Sequence, residues 1–368
     1  MTSYHIMKII IAIGLVLGGV QFCFNSDSRM GMKFREGFAM TGQMILSVAG
    51  IMTITPVFAT LLKPAIVPVA NFIGADPSCF SFFLGCDMGG YPMAVSLAES
   101  KSVADMIGLA PAAMIGGTLT FAVPVAKAVL TVEEFHLFSK GMLMGIVTIP
   151  VGTIAGGFIQ GMPMKEIVIN SIPILIISIM LSIGFYICPD QLVRMAEVLG
   201  NAIAKIGLVG LIAGGVTYLT GFTVIPGMPP VMDGMVTVCG MIFILAGTLP
   251  LLDWINRKIS TPLDRIGNRM GLNAASFSGL LFTFASSVPT FSMMKDMTKR
   301  GIIINSAWIV TCVGLLGSQI GFVLQEAPKM LVPFVSAKLI AGVICMTNAF
   351  IFTRNIKGEK EVQKENKM

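Results

Sequence analysis

The stretch GADPSCFSFFLGCDMGGYP, residues 74–92, is apolar enough to lie inside a membrane and too irregular to cross one as a plain helix. Gly74, Asp76, Pro77, Gly89, Gly90 and Pro92 interrupt it. Gly and Pro are common in membrane helices, so a single one would imply no more than a kink. So many in one segment imply backbone released from helical hydrogen bonding, and such backbone must be buried in protein or line a wet cavity. Asp87 adds a carboxylate, which is costly inside a membrane and marks a functional site by default. A chain with this segment is expected to be a membrane protein with an interior polar site.

The rest of the sequence supplies the spans. Of 368 residues, 55% are hydrophobic and 12% charged, with a mean hydropathy of +0.85, whereas soluble domains carry about 25% charged residues. Apolar runs predict spans at 5–24, 38–61, 103–127, 137–159, 167–187, 199–220, 234–254, 301–324 and 331–353. The first of these lacks a small-residue cleavage site and reads as a membrane helix, not as a removed signal peptide. Two further regions, 64–100 and 261–298, are apolar but broken. The expected fold class is an all-α polytopic membrane protein.

Basic residues orient the chain. Arg29, Lys33 and Arg35 form one cluster, and Arg257, Lys258, Arg265 and Arg269 a second. Lys295, Lys299 and Arg300 form a third, and Lys357, Lys360, Lys364 and Lys367 lie in the tail. Positive charge marks the cytoplasmic side, so both ends of region 261–298 face inward and the region reads as a re-entrant hairpin. Region 64–100, flanked by Lys63 and Lys101, then enters from outside. This predicts about nine transmembrane helices plus two re-entrant hairpins, an external N-terminus and a cytoplasmic C-terminus. The alternative, eleven spans with two discontinuous helices, scatters the basic clusters over both sides.

A shift of 197 residues, without a gap, lays Gly37 on Gly234, Ala49–Gly50 on Ala246–Gly247, Gly74 on Gly271, Phe80–Ser81 on Phe277–Ser278, and Pro92 on Pro289. Span falls on span and broken region on broken region. The chain thus divides into a first repeat at 1–159, a linking helix and loops at 160–198, a second repeat at 199–356 and a charged tail at 357–368. With hairpins uncounted, five crossings separate the starts of the repeats, so the second is inverted. Inverted repeats with discontinuous segments meeting near mid-membrane are the recurring construction of secondary transporters.

The chemistry offered by the two broken segments differs. In the first, Asp87 can bind an ammonium or exchange protons, Gly89 and Gly90 let backbone approach a ligand, and Tyr91 adds a hydroxyl and a π face. The second has Phe284, Ala285, Ser286 and Ser287 where the first has Asp87 to Gly90. It offers Asn273, Ser276, Ser286 and Ser287 as neutral hydrogen-bonding groups. One negative centre facing a neutral polar lining suits a small substrate with one positive charge and a hydroxyl. Plainer uses stay open, since Asp87 also suits a helix cap and the serines suit close helix packing. Asp76, Pro77, Pro92 and Pro289 are expected in structural or gating roles.

Several function classes are disfavoured. There is no GxSxG, GxxxxGK[ST] or HExxH motif, so no catalytic residue is expected. His5 and His136 are the only histidines and no CxxC occurs, so no metal site or cofactor is expected either. The net charge of +6 sits in loops and tail, where it reads as a topology signal and not as a nucleic-acid-binding surface.

Three motifs together resemble the ethanolamine utilisation permease family of bacteria, over the full length of the chain. They are Gly31-Met32-Lys33-Phe34-Arg35-Glu36-Gly37-Phe38, Gly74-Ala75-Asp76-Pro77-Ser78 and Asp87-Met88-Gly89-Gly90-Tyr91-Pro92. The resemblance implies uptake of ethanolamine across the bacterial cytoplasmic (inner) membrane, with a functional link to ethanolamine ammonia-lyase and no enzyme activity in the chain itself. The lipid bilayer is then a partner, and a homo-oligomer is left open. Ethanolamine is a small hydroxylated ammonium ion at neutral pH, which fits Asp87 and Tyr91 at the ammonium and Asn273 and the second-hairpin serines at the hydroxyl. Facilitated and ion-coupled transport both remain open. So do a cation-coupled symporter of another small solute and a membrane-embedded amine sensor.

Overall fold

The computed structural model describes residues 2–82, 87–269 and 272–354, with the side chains of Asp87 and 259–269 excepted; the charged tail expected at 357–368 lies outside the described residues. Among the described residues the chain is helical, with no strand. In order, the long helices of the first part are α1 (Ser3–Phe24) and α2 (Arg29–Ile73), then, after a broken segment carrying the short α3 (Gly90–Leu97), α4 (Lys101–Val129) and α5 (Val132–Gln160). Helices α6 (Met164–Ile187), α7 (Pro189–Thr220) and α8 (Val231–Arg269) follow. A second broken segment carries α9 (Ala274–Thr283) and α10 (Ser287–Met293). The chain continues with α11 (Lys299–Cys312), α12 (Ser318–Glu326) and α13 (Leu331–Phe352). Among the described residues, eight helices are long and apolar enough to cross a membrane, which makes this a multi-pass membrane protein.

Helix α1 shows what a lipid-facing span looks like here. It is apolar on all sides, with Ile9, Ile13, Val16 and Val20 exposed outward and only Ile11, Gly14 and Gly18 buried. Helix α2 is longer than the predicted span 38–61 and passes through Pro56, Pro64 and Pro68, which membrane helices tolerate because neighbouring groups satisfy the backbone that proline frees. It stops at Gly74, whose left-handed φ of 76° closes a Schellman turn: Gly74 N donates to Asn71 O at 3.1 Å and Ala75 N to Ala70 O at 3.0 Å. The first broken segment therefore begins at Gly74 and not at 64. Likewise, α8 runs on to Arg269, past the 261 at which the second broken region was expected to begin.

One predicted span requires correction. The run 301–324 is not a continuous helix, because α11 ends at Cys312 and α12 starts at Ser318. Two amides of the intervening chain bond to the turn between α9 and α10 in place of their own helix: Gly314 N donates to Thr283 O at 3.0 Å and Leu316 N to Phe284 O at 2.8 Å. Gly314 takes a φ of 64°. Gly317 comes so close to that turn that an added methyl would stand 2.4 Å from Ala285 O, so no side chain fits there.

Contacts between the two halves are reciprocal at positions 197 residues apart. A methyl added at Gly37 of α2 would stand 2.6 Å from Ala246 Cα of α8, and one added at Gly234 of α8 would stand 3.0 Å from Ala49 Cα of α2. Farther along, Gly14 of α1 packs on Gly247 of α8, with 2.2 Å from the added methyl to Gly247 O, and Gly50 of α2 packs on Gly207 and Leu211 of α7 at 2.3 and 3.1 Å. Because helices in lipid gain little from burying apolar surface against one another, small residues that admit close backbone approach carry the association.

Candidate functional site

Each broken segment is closed at its base by one polar side chain. Asp76 accepts from Ser78 N at 2.8 Å, capping the turn Pro77–Phe80, and its other oxygen accepts from Glu99 N at 3.1 Å and Ser100 N at 2.9 Å. The chain thus returns at residues 99–100 to where it left at residue 76. Asn273 does the same in the second segment: its Oδ1 accepts from Ser276 N at 3.0 Å, and its Nδ2 donates to Asp296 O at 2.7 Å. Asp76 and Asn273 are 197 residues apart, as are Glu99 and Asp296. Pro77 occupies the first position of its turn, while Pro92 and Pro289 are each the third residue of a short helix, where no amide donor is needed.

Neighbouring helices fix these bases in place. Asn170 Oδ1 of α6 accepts from Asp76 N at 2.7 Å. In the second half, Asn305 Nδ2 of α11 donates to Ser276 O at 2.7 Å, and Ser276 Oγ accepts from Thr298 N at 3.3 Å. Of the predicted binding residues, Asn273 and Ser276 therefore have polar atoms engaged at the base of the second segment.

At the far end of the first segment, Asp87 opens the short turn Asp87–Gly89, and its side chain lies outside the described residues. Gly89 faces Ile51 of α2, and Gly90 packs so tightly on α4 that an added methyl would stand 2.5 Å from Ala112 Cβ. Tyr91 is buried, with its ring edge on Phe322 of α12 at a centroid separation of 6.2 Å. Its hydroxyl donates to Asp105 Oδ1 at 2.8 Å and accepts from Lys101 Nζ at 2.7 Å, while Lys101 also donates to Asp105 at 2.6 Å. Lys101 Nζ lies 5.0 Å from the Tyr91 ring centroid, at its hydroxyl end, so this chain's own ammonium already stands beside the ring offered to a cation.

The second segment has a neutral far end. Thr283 and Thr290 hydroxyls lie 3.0 Å apart, and Thr290 donates to Gly279 O at 3.0 Å, which stitches α9 to α10. Ser286 caps α10 at Val288 N with 3.3 Å. Ser287 Oγ is fully buried and has no hydrogen-bond partner among the described residues. Ser78, Ser81 and Thr118 share that condition.

Two charged residues of this region escape a reading by hydropathy: Asp105 in α4 and Lys338 in α13. Lys338 has no exposed surface and lies within a span. Its ammonium donates to Val313 O at 3.2 Å and to Gln319 Oε1, at the interruption between α11 and α12. The signal was present as a charge inside the apolar run 331–353. A crevice of about 10 Å³, the space of one water, lies between Asp105, Leu109, Gln160, Phe334 and Ala337. It leaves no room for an organic solute.

The family model for "Ethanolamine utilisation protein, EutH" matches residues 4–352. The chain is 32% identical over 362 residues to the "Probable ethanolamine permease EutH" of Listeria monocytogenes, covering 98% of this chain and 97% of that protein. It is 32% identical over 363 residues to the protein of the same name from Salmonella typhimurium, covering 90% and 89%. An uncharacterised protein of Bacillus subtilis, YxeR, is 31% identical over 365 residues, covering 98% and 99%. No solved structure matches. The chain therefore belongs to the EutH family of ethanolamine utilisation proteins, as its GADPS and DMGGYP segments suggested.

Proposed function

We propose that this chain carries ethanolamine into the cell across the bacterial cytoplasmic membrane, by alternating access between two inverted repeats at 1–159 and 199–356. The observation that carries this reading is the pair of base-closed broken segments, 197 residues apart, within a chain of membrane helices that belongs to the EutH family. Helix α9 has 10 residues and at 1.5 Å per residue reaches about 15 Å, half of a hydrocarbon core about 30 Å thick. A segment that short and tied at its base enters the membrane and returns, which supports two re-entrant hairpins. The reciprocal glycine contacts of α2 and α8 support a two-fold relation between repeats, because isologous contacts are what a two-fold axis produces. The basic clusters of the sequence support a cytoplasmic second hairpin base and C-terminus.

In this proposal Asp87 holds the substrate ammonium, with Gly89 and Gly90 admitting close approach, and Ser286 and Ser287 face its hydroxyl. Tyr91 acts through Asp105 and Lys101 at the wall of the site. Asn273 and Ser276 hold the second hairpin at its base, as Asp76 and Pro77 hold the first, and Pro92 and Pro289 shape the inner arms. The test is uptake of radiolabelled ethanolamine into liposomes containing only this protein. Saturable uptake above empty liposomes is expected, with choline and alanine competing weakly; folded protein that moves no ethanolamine overturns the proposal.

A further inference from the structure

We infer that the ammonium of Lys338 is a fixed substitute for a coupling cation, seated at the carboxyl end of the interrupted helix. A helix that stops inside a membrane leaves its last carbonyls without amide partners and carries a partial negative charge at that end. In secondary transporters such carboxyl ends and unwound carbonyls are where sodium or protons are held. Here α11 stops at Cys312, and the next carbonyl, Val313 O, receives the Lys338 ammonium at 3.2 Å. Gln319 Oε1 of α12 receives it as well, so the ammonium bridges the two halves of the interrupted helix. A main-chain carbonyl and a side-chain amide oxygen are neutral oxygen ligands of the kind that would surround a small monovalent cation.

The lysine is held there by its helix. Helix α13 packs on α5 where Gly152 admits Ala337 O, with 2.5 Å to an added methyl, and on α11 where Gly342 admits Cys312 Sγ at 2.6 Å. Cys312 Sγ also contacts Lys338 O at 3.6 Å. A side chain on so close-packed a helix stays at its seat, whereas a free ion comes and goes with each cycle. The seat also controls something that moves in the proposed function: the interruption it braces is bonded to the turn of the second hairpin through Thr283 O and Phe284 O.

The inference rests on the proposed ethanolamine transport and adds that this transport needs no sodium at the interruption. Wild-type uptake into liposomes is expected to change less than twofold when sodium is replaced by potassium on both sides. Lys338→Ala should lose at least tenfold in potassium and regain at least threefold in sodium or lithium, because the vacated oxygens accept a small cation. Thermal unfolding without ethanolamine gives a second readout, in which sodium raises the melting temperature of Lys338→Ala by about 3 °C over potassium and leaves the wild type unmoved. Lys338→Gln takes both measurements if the alanine variant does not reach the membrane.

A functioning wild type that falls more than threefold without sodium overturns the inference and leaves ethanolamine transport standing. So does a folded, impaired Lys338→Ala that responds to no cation in either assay, which would make the lysine a packing element only. A wild type that moves no ethanolamine in either salt strikes the transport proposal instead, and the unfolding comparison still decides the role of Lys338.

Discussion

Residues 76–100 and 273–298 close on themselves through matching positions, Asp76 to Glu99 and Asn273 to Asp296, yet their inner ends differ in charge and in the helix that follows. The first has Asp87 there in sequence, and the helix after it, α4, breaks step at Leu109 and takes a π-helical turn at Thr118–Ala122, where it does not part. The second presents Phe284 to Ser287, and the helix after it parts at 313–317, positions that overlap the π-helical turn under the 197-residue shift. The first broken segment therefore carries an acid where the second has none, and the helix after it loses its α-helical step at Leu109 and again at Thr118–Ala122 but runs on. The other supplies hydroxyls, opens its helix and fills the opening with a lysine. Matched positions can keep a frame while the contents differ, because bases and glycine contacts are set by backbone geometry and inner ends by chemistry.

The sharpest way to break this comparison is Asp87→Asn. If the first hairpin is the charged half, ethanolamine uptake should fall by at least about thirtyfold with normal membrane yield, in line with the roughly 2–5 kcal/mol lost when one partner of a desolvated charge pair is removed. Unchanged saturation kinetics would end the asymmetry argument. The next largest effect concerns what the halves share: Gly50→Leu and Gly247→Leu should each destabilise the folded protein by about 1–3 kcal/mol through overpacking, measured by thermal unfolding in detergent. A large difference between them would break the reciprocity.

Asp76→Ala and Asn273→Ala test the bases, where loss of a cap typically costs about 1 kcal/mol. Asp76 accepts from three amides and should be the more damaging of the two, read as faster amide exchange at residues 98–101 than at 296–299. Tyr91→Phe should have the smallest effect. It keeps the ring on Phe322 and removes one hydroxyl between Lys101 and Asp105, so uptake at subsaturating ethanolamine should drop about twofold to tenfold for a loss of roughly 0.5–1.5 kcal/mol.

How much of this was legible depends on how local the cause is. Gly74, Asp76 and Pro77 spell a helix stop and a capped restart in adjacent residues, and the chain does that. Gly37, Ala49 and Gly50 matched Gly234, Ala246 and Gly247 in sequence because the reciprocal approach of α2 and α8 tolerates nothing larger. The interruption at 313–317 was illegible for the opposite reason. Val313-Gly-Leu-Leu-Gly317 is apolar, glycine is ordinary in membrane helices, and the partners that unwind it are carbonyls about 30 residues away. Asn170 likewise reads as a polar residue in a span until Asp76 is found against it. Lys338 is a different case, since its charge was visible and an averaged hydropathy concealed it.

The glycine contact between α1 and α8 also dictates an order of events during synthesis. Gly14 finds Gly247 about 230 residues later in the chain, which at roughly 5–20 residues per second is some ten to fifty seconds after α1 leaves the ribosome. For that interval α1 has α2 to pack on, where Phe34 meets Gly18 and Gly19, while Gly14 must wait against lipid or a helper protein. A nascent chain stalled before α8 would leave α1 held by α2 alone, through Phe22 and Phe34, with Gly14 uncovered.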